Sequence, residues 1–133
     1  MNGCKRFLLI PILLLTLLLG GCRAQSRYVR QLEPDSFCLT FYPLNDAITE
    51  SYLLHTGDSI AVSAVKESGQ LGITIAQAGK TPVYQSDALT VSACDFVVEI
   101  SQDGTYSITV TGRMAYGSTD FTINRKETTD NNR

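Results

Sequence analysis

From Ser36 onward the chain alternates apolar and polar residues with a period of two, and Gly, Pro, Asn or Asp breaks the alternation about every ten positions. An amphipathic helix repeats its apolar positions every three or four residues, so this pattern predicts an antiparallel all-β domain instead. Phe37, Leu39 and Phe41 form one inward set, with Cys38, Thr40 and Tyr42 on the other face of the same strand. A second strand is expected over Ile48 to Leu54, with Glu50 or Tyr52 exposed, and Thr56-Gly57-Asp58 forms a tight turn after it. Ile60, Val62 and Ala64 make the next inward set. Glu67-Ser68-Gly69-Gln70 reads as a turn, leading into Leu71, Ile73 and Ile75, and Ala78-Gly79-Lys80 reverses the chain again.

Further along, Val83 and Tyr84 beside Pro82 suggest a sheet edge, because proline cannot donate to a ladder. The stretch 85–95 holds either one strand, Leu89 to Val91, or a long loop. Phe96, Val98 and Ile100 resume the alternation, Asp103-Gly104 turns it, and Tyr106, Ile108 and Val110 follow. Gly112 and Gly117 are expected to bracket a last hairpin, with Phe121 and Ile123 closing the core. Tyr106, two residues after a turn glycine, suits either a corner hydrogen bond or a half-buried strand position. The whole predicts a two-sheet antiparallel β-sandwich of about eight strands over residues 36–124. The polar tail 125–133 reads as disordered.

The first residues follow a different rule. Lys5 and Arg6 precede an apolar run from Phe7 to Leu19 with eight leucines, ending in Gly20-Gly21. Basic, then apolar, then small is the order of a helical secretory signal peptide, residues 1–21. The run is shorter than the ~20 apolar residues a membrane span needs. Leu19-Gly20-Gly21-Cys22 resembles the lipobox of bacterial lipoproteins, in which the cysteine thiol receives diacylglycerol and the leader is cut before it. The resemblance covers residues 1–22 and implies that Cys22 is acylated, becomes the first residue, and anchors the protein in the bilayer of a cell membrane or outer membrane, with its domain on the extracytoplasmic side. Residues 22–35, with Arg23, Arg27, Arg30 and Pro34, then read as anchor and flexible tether.

Removing the leader takes the 11 basic residues to nine against 13 acidic ones. Between Ser36 and Asn124 only Lys66, Lys80 and Arg113 are basic, against nine acids, which excludes the clustered cations of a nucleic-acid binder. The run Gly104-Thr105-Tyr106-Ser107-Ile108-Thr109-Val110-Thr111-Gly112, then Ala115-Tyr116-Gly117-Ser118, with Gly57-Asp58-Ser59-Ile60 upstream, resembles small β-sandwich modules of the pre-peptidase C-terminal and GOLD-like kind. That resemblance implies targeting, binding or partner contact and no catalytic residues.

Nothing in the chain assembles an enzyme. His55 is the only histidine, and no Gly-x-Ser-x-Gly elbow supplies a nucleophile for it. Asp46, Asp58, Asp87, Asp95, Asp103 and Asp120 sit near turns, where aspartate is common for its own hydrogen bonds; no metal or cofactor motif results. Cys38 and Cys94 remain in the exported domain as a possible disulfide or as two unpaired core thiols. Tyr42, Tyr52, Tyr84 and Tyr116 are the candidates for a binding surface, because an exposed aromatic face stacks on a sugar or an apolar patch, although the chain has no tryptophan. The expectation is a non-enzymatic accessory module contacting an envelope protein, or alternatively a binder of a glycan or cell-wall fragment.

Overall fold

The computed structural model describes residues 25–87, 89 and 92–127. The leader, the lipobox cysteine Cys22 and the end of the tail, 128–133, lie outside the described residues. Seven strands follow in order: β1 (Tyr28–Glu33), β2 (Ser36–Leu44), β3 (Ala47–Leu54), β4 (Ser59–Gln77), β5 (Tyr84–Ser86), β6 (Ala93–Glu99) and β7 (Gly104–Asn124). Every ladder is antiparallel.

Two of the strands, β4 and β7, are 19 and 21 residues long and run through both layers of the molecule. Their outer halves, Ser59 to Lys66 and Gly117 to Asn124, pair with each other, and β6 and β2 flank them, with β1 beyond β2. This makes a five-stranded leaf, β6-β4-β7-β2-β1. Their inner halves, Gln70 to Gln77 and Tyr106 to Arg113, pair again and are flanked by β5 and β3, giving a four-stranded leaf, β5-β4-β7-β3. The hydrogen-bonded sheet is continuous, but it folds over on itself as a sandwich.

The fold-over corrects two expectations. Glu67 to Gln70 is not a turn and Gly112 to Gly117 does not bracket a hairpin; both are bends inside unbroken strands. The ladder slips between Lys66 and Ser68 and again between Ser68 and Gln70. Gly69 at φ +81°, Met114 at φ +49° and Gly117 at φ +149° supply the local curvature. Glycine marks a turn and a bulge equally well, since both need φ > 0, and bulges bend a strand without ending it. The space confirms the requirement: a Cβ on Gly117 would run into the Val65 carbonyl, and one on Gly69 into the Met114 carbonyl.

The inward sets read from the alternation meet between the leaves. Phe37, Leu39, Phe41, Ile60, Val62, Ala64, Phe121 and Ile123 of the first leaf and Leu71, Ile73, Ile75, Tyr106, Ile108 and Val110 of the second share one buried cluster. Fully burying an aliphatic or aromatic side chain contributes about 1.5–3 kcal/mol, so this set is the main source of stability. Phe37 stacks on Phe121 at 4.6 Å and reaches Tyr52 of the opposite leaf at 6.1 Å. At the other margin Tyr84 stacks on Phe96 at 4.3 Å, again leaf to leaf. Tyr106 is buried and its hydroxyl donates to the Gln102 carbonyl at 2.7 Å, which is the corner bond.

Three further expectations change. The stretch expected as tether contains β1, paired along its whole length with β2 through the tight Pro34-Asp35 turn, so the domain begins before Ser36. Glu50 is not exposed: it lies half-buried on the inner face of β3 and takes a 2.8 Å ion pair from Arg30 of β1, which joins the margins of the two leaves. Val83 is exposed and precedes β5, the edge strand that Pro82 signalled. Of the Leu89 to Val91 alternative, Thr90 and Val91 lie outside the described residues, while Leu89 is buried and donates to the Leu71 carbonyl at 2.8 Å.

Candidate functional site

Register fixes what each leaf shows to solvent. On the outward face of the five-stranded leaf, Thr40, Ser118, Val65 and Ala93 form one cross-strand row. Cys38, Asp120, Ser63 and Asp95 form the next, and Ser36, Thr122, Ala61 and Val97 the one after. These side chains are short, so the face is sunken along its middle. Two shallow hollows of about 310 Å³ each result, one over Ala61, Ser63, Asp95, Asp120 and Thr122, the other over Thr40, Val65 and Ser118.

The second hollow is bounded by Tyr42, Tyr116 and Glu67. Tyr42 follows Thr40 by two residues and therefore shares its outward face, at the end of β2 just before the cis Tyr42-Pro43 bond. Tyr116 arrives from β7 at the bend, beside Gly117, and Glu67 comes from the matching bend of β4. The bends, each a departure from regular strand, thus deliver an aromatic ring and a carboxylate to the rim of a floor made of Val65 and two hydroxyls. Such an arrangement can stack on a flat apolar surface while hydrogen-bonding polar groups around its edge.

Of the four tyrosines singled out from the sequence, the structure brings together only Tyr42 and Tyr116. Tyr52 points between the leaves onto Phe37, where burial, with help from the Glu50 charge, raises its hydroxyl pKa. Tyr84 is taken up by Phe96. Glu67 escaped notice in the sequence because the residues around it read as a turn; its place at the rim exists only once β4 is seen to bend rather than end.

Cys38 and Cys94 are both free, and they cannot meet. Cys38 faces outward in β2 and Cys94 faces inward in β6, and between them stand β7 and β4, so the two are three ladders apart. At 4.7–4.9 Å per ladder that is roughly 14 Å, beyond the ~7 Å a disulfide tolerates. Cys38 shares a hydrogen bond with Asp120, and this, then burial, then the charges of Asp120 and Glu33, push its thiol up to about 11. Burial raises Cys94 as well. Both are poor nucleophiles, since the thiolate is the reactive form.

At one end of the sandwich the turns gather around Asp58. This carboxylate is 3% exposed and accepts from the backbone N–H of His55 and of Lys126, each at 2.8 Å, with Arg125 3.7 Å away. Those two backbone donors hold its pKa below the ordinary carboxylate value, against the opposing effect of burial. Arg125 also bonds Asp35 and the Leu53 carbonyl, so the start of the expected disordered tail is tied down. His55 stands exposed, 3.8 Å from Asp103, whose carboxylate instead takes the Thr56 N–H at 2.7 Å and the Thr56 hydroxyl at 3.0 Å. The Thr56 hydroxyl is thus spent on Asp103 and, more distantly, the Ser101 carbonyl, and the cluster ties Arg125 and Lys126 to the turn after β3. Among the described residues no three His, Cys, Asp or Glu side chains come close enough to hold a metal ion.

No family model matches the sequence, and no curated protein does. Solved structures with a similar course include a periplasmic inhibitor of g-type lysozyme from Aeromonas hydrophila, 18% identical, covering 75% of this chain and 87% of the other at a TM-score of 0.43. They also include a carbohydrate-binding module from Cellvibrio mixtus lichenase 5A in complex with cellotriose (12%, 80% and 92%, 0.43). A pre-peptidase C-terminal domain of collagenase from Bacillus anthracis is a third (10%, 74% and 87%, 0.43), of the kind that the glycine-punctuated run from Gly57 to Ile123 resembles. Likenesses of this depth carry no functional information.

Proposed function

We propose that this chain is an exported, lipid-anchored, non-enzymatic binding module that holds a saccharide in the hollow between Tyr42 and Tyr116. The anchor rests on Leu19-Gly20-Gly21-Cys22 behind the apolar run, with acylated Cys22 as the attachment to a cell membrane or outer membrane. The observation that carries the ligand reading is the convergence of two tyrosines, the Thr40 and Ser118 hydroxyls and the Glu67 carboxylate on one ≈310 Å³ hollow. A sugar ring offers an apolar C–H face to a tyrosine and a ring of hydroxyls to neighbouring donors and acceptors, so each group in the hollow has a partner on such a ligand. The volume is at the low end for small-molecule sites, which suits one or two sugar rings bound weakly and reversibly.

The test is titration of the full chain, in detergent, with soluble fragments of bacterial cell-wall glycan and with plain glucans, read by calorimetry. Saturable binding that falls about tenfold or more in Tyr42→Ala and in Tyr116→Ala, equivalent to about 1.4 kcal/mol each, supports the site. Saturable binding untouched by either change refutes this location, and no binding across both ligand sets refutes the saccharide. Palmitate labelling of wild type against Cys22→Ser tests the anchor separately, and equal incorporation in the two would refute it.

A further inference from the structure

The described chain enters the domain at one end of the sandwich. Ser26 Oγ accepts the N–H of Asn45 at 2.7 Å, in the turn between β2 and β3, and Arg27 donates its N–H to the Pro43 carbonyl and accepts from the Tyr42 N–H, both at 2.8 Å. The bend of β7 closes on the same turn: Met114 donates its N–H to Asn45 Oδ1 at 2.6 Å, and Gly112 donates to the Asp46 carbonyl at 3.0 Å. The opposite end, where Lys80 bonds Gln102 and Thr56 bonds Asp103, lies roughly 24 Å away along the eight residues of β3. Large apolar side chains gather around the entry: Tyr28, Tyr42 and Met114 are 41%, 48% and 46% exposed. Arg27 and Arg113 stand at this end with the carboxylates of Asp46 and Glu67, so it carries no excess of negative charge.

We propose that this end of the sandwich rests on the headgroup layer of the membrane that holds the anchor, with Tyr28, Tyr42 and Met114 against the lipid and Arg125 and Lys126 turned away from it. The inference rests on acylation of Cys22, one part of the proposed function, and not on the saccharide. The length of the connection carries it. Four steps along the chain separate Cys22 from Ser26, and at about 3.3–3.6 Å each they span at most about 14 Å. With its acyl chains in the hydrocarbon, Cys22 sits at the inner edge of a headgroup layer about 5–8 Å deep, so Ser26 stays within about 9 Å of the lipid surface even at full stretch. A tether running to Asp35 would leave the orientation open; β1, which docks the chain from Tyr28 onward, removes that freedom. The tyrosine ring is apolar with one polar tip and collects at membrane–water interfaces, and Arg23 in the connection joins Arg27 in facing anionic headgroups. Tyr42 also bounds the saccharide hollow, which therefore opens close to the lipid surface.

The chain has no tryptophan, so a single introduced one reports its own surroundings. The full lipidated chain is reconstituted in vesicles of phosphatidylethanolamine and phosphatidylglycerol, with and without lipids brominated at the top of the acyl chains. Met114→Trp and Tyr28→Trp should each lose about half or more of their emission to the bromine, since interfacial side chains reach about 5–10 Å into the boundary of headgroups and acyl chains, whereas Lys80→Trp at the far end should keep nearly all of it. Two reporter positions guard against a substitution that disturbs the bend. Quenching of either above the Lys80→Trp level supports the orientation. Quenching of neither, in protein that sediments with the vesicles, overturns the orientation and leaves the anchor standing. Protein that stays in the supernatant overturns the anchor and the orientation together, without touching the saccharide reading.

Discussion

The two outward faces of the sandwich are built largely from the same two strands, β4 and β7, yet they carry different chemistry. Over its middle the four-stranded leaf shows rows of small neutral residues: Ala47, Thr111 and Gly72, then Thr49, Thr109 and Thr74, then Ser51, Ser107 and Ala76, with the exposed Leu53 at one end and a hollow of about 220 Å³ lined by Gln70, Asp87 and Arg113 at the other. Its hydroxyls answer one another, Thr49 with Thr109 at 3.0 Å and Ser51 with Ser107 at 3.2 Å. The five-stranded leaf shows Glu33, Asp95, Glu99 and Asp120, sunken short side chains, and tyrosines at one end. A pair of hydroxyls bonded across the ladder has used one of its two donors, whereas a carboxylate or a ring at the rim of a hollow has its capacity open. The comparison teaches that the core constrains only every second residue, and that the alternate residues are free to give the two faces different chemistry.

The strongest way to break the comparison is at the bend that brings Tyr116 to the rim. Gly117→Val forces a side chain onto the Val65 carbonyl at a backbone conformation that favours glycine, and should destabilise the fold by about 3 kcal/mol or more, measured by urea denaturation. A loss below about 1 kcal/mol would show that the two leaves tolerate a different bend.

Asp58 belongs to neither face and tests whether both melt as one unit. Asp58→Asn should cost about 1–3 kcal/mol, because it weakens acceptance from two backbone donors in a buried place. The folded-state pKa is below the ordinary value, so this contribution is complete above the unfolded carboxylate pKa of about 3.9 and is lost as pH falls through the folded value. Stability should therefore decline more steeply below about pH 4 in wild type than in Asp58→Asn, and parallel curves would remove Asp58 from the account of acid unfolding.

On the inner side of the five-stranded leaf, Thr119 is fully buried and its hydroxyl finds no partner among the described residues. Thr119→Val keeps the shape and removes the unpaired group, so thermal or chemical denaturation should show a gain of about 1 kcal/mol. A loss of the same size would mean that the hydroxyl is bonded after all. The smallest effect is expected in the threonine row of the four-stranded leaf: Thr49→Ala with Thr109→Ala should cost about 0.5 kcal/mol and leave saccharide titration within about twofold of wild type. Loss of binding there would reverse the assignment of the two faces.

Much of this is legible in the sequence. Most inward residues are readable one by one, because a strand with one face in the core must repeat every second position; β3, where Glu50 and Tyr52 both face inward, is the exception, and of the two places open to Tyr106 the structure takes the corner. The tight turns at Gly57 and Gly79 are equally plain, whereas Gly104, expected in a turn, opens β7 opposite Leu54 after a crossing from one leaf to the other. The bends at Gly69 and Gly117 were misread as turns, since a glycine with φ > 0 serves either purpose and only the partner strand decides whether the ladder continues. β1 was missed because Tyr28 to Glu33 is exposed on both faces and so lacks the alternation that burial imposes.

The sequence alone thus determined that the domain is an antiparallel sandwich and which side chains fill it, for a physical reason: apolar burial acts locally on every strand and leaves a period-two trace. The reading of the leader and of Cys22 also rests on sequence, through the order of charge, leucine and small residues. Tertiary structure decided what lies opposite what. It set Tyr42 beside Tyr116 and Glu67, sent Tyr52 and Tyr84 into the leaf margins, and placed Cys38 and Cys94 on opposite faces three ladders apart. Those outcomes depend on register and on two bends in β4 and β7, and no pattern within a single strand encodes the strand that will lie next to it.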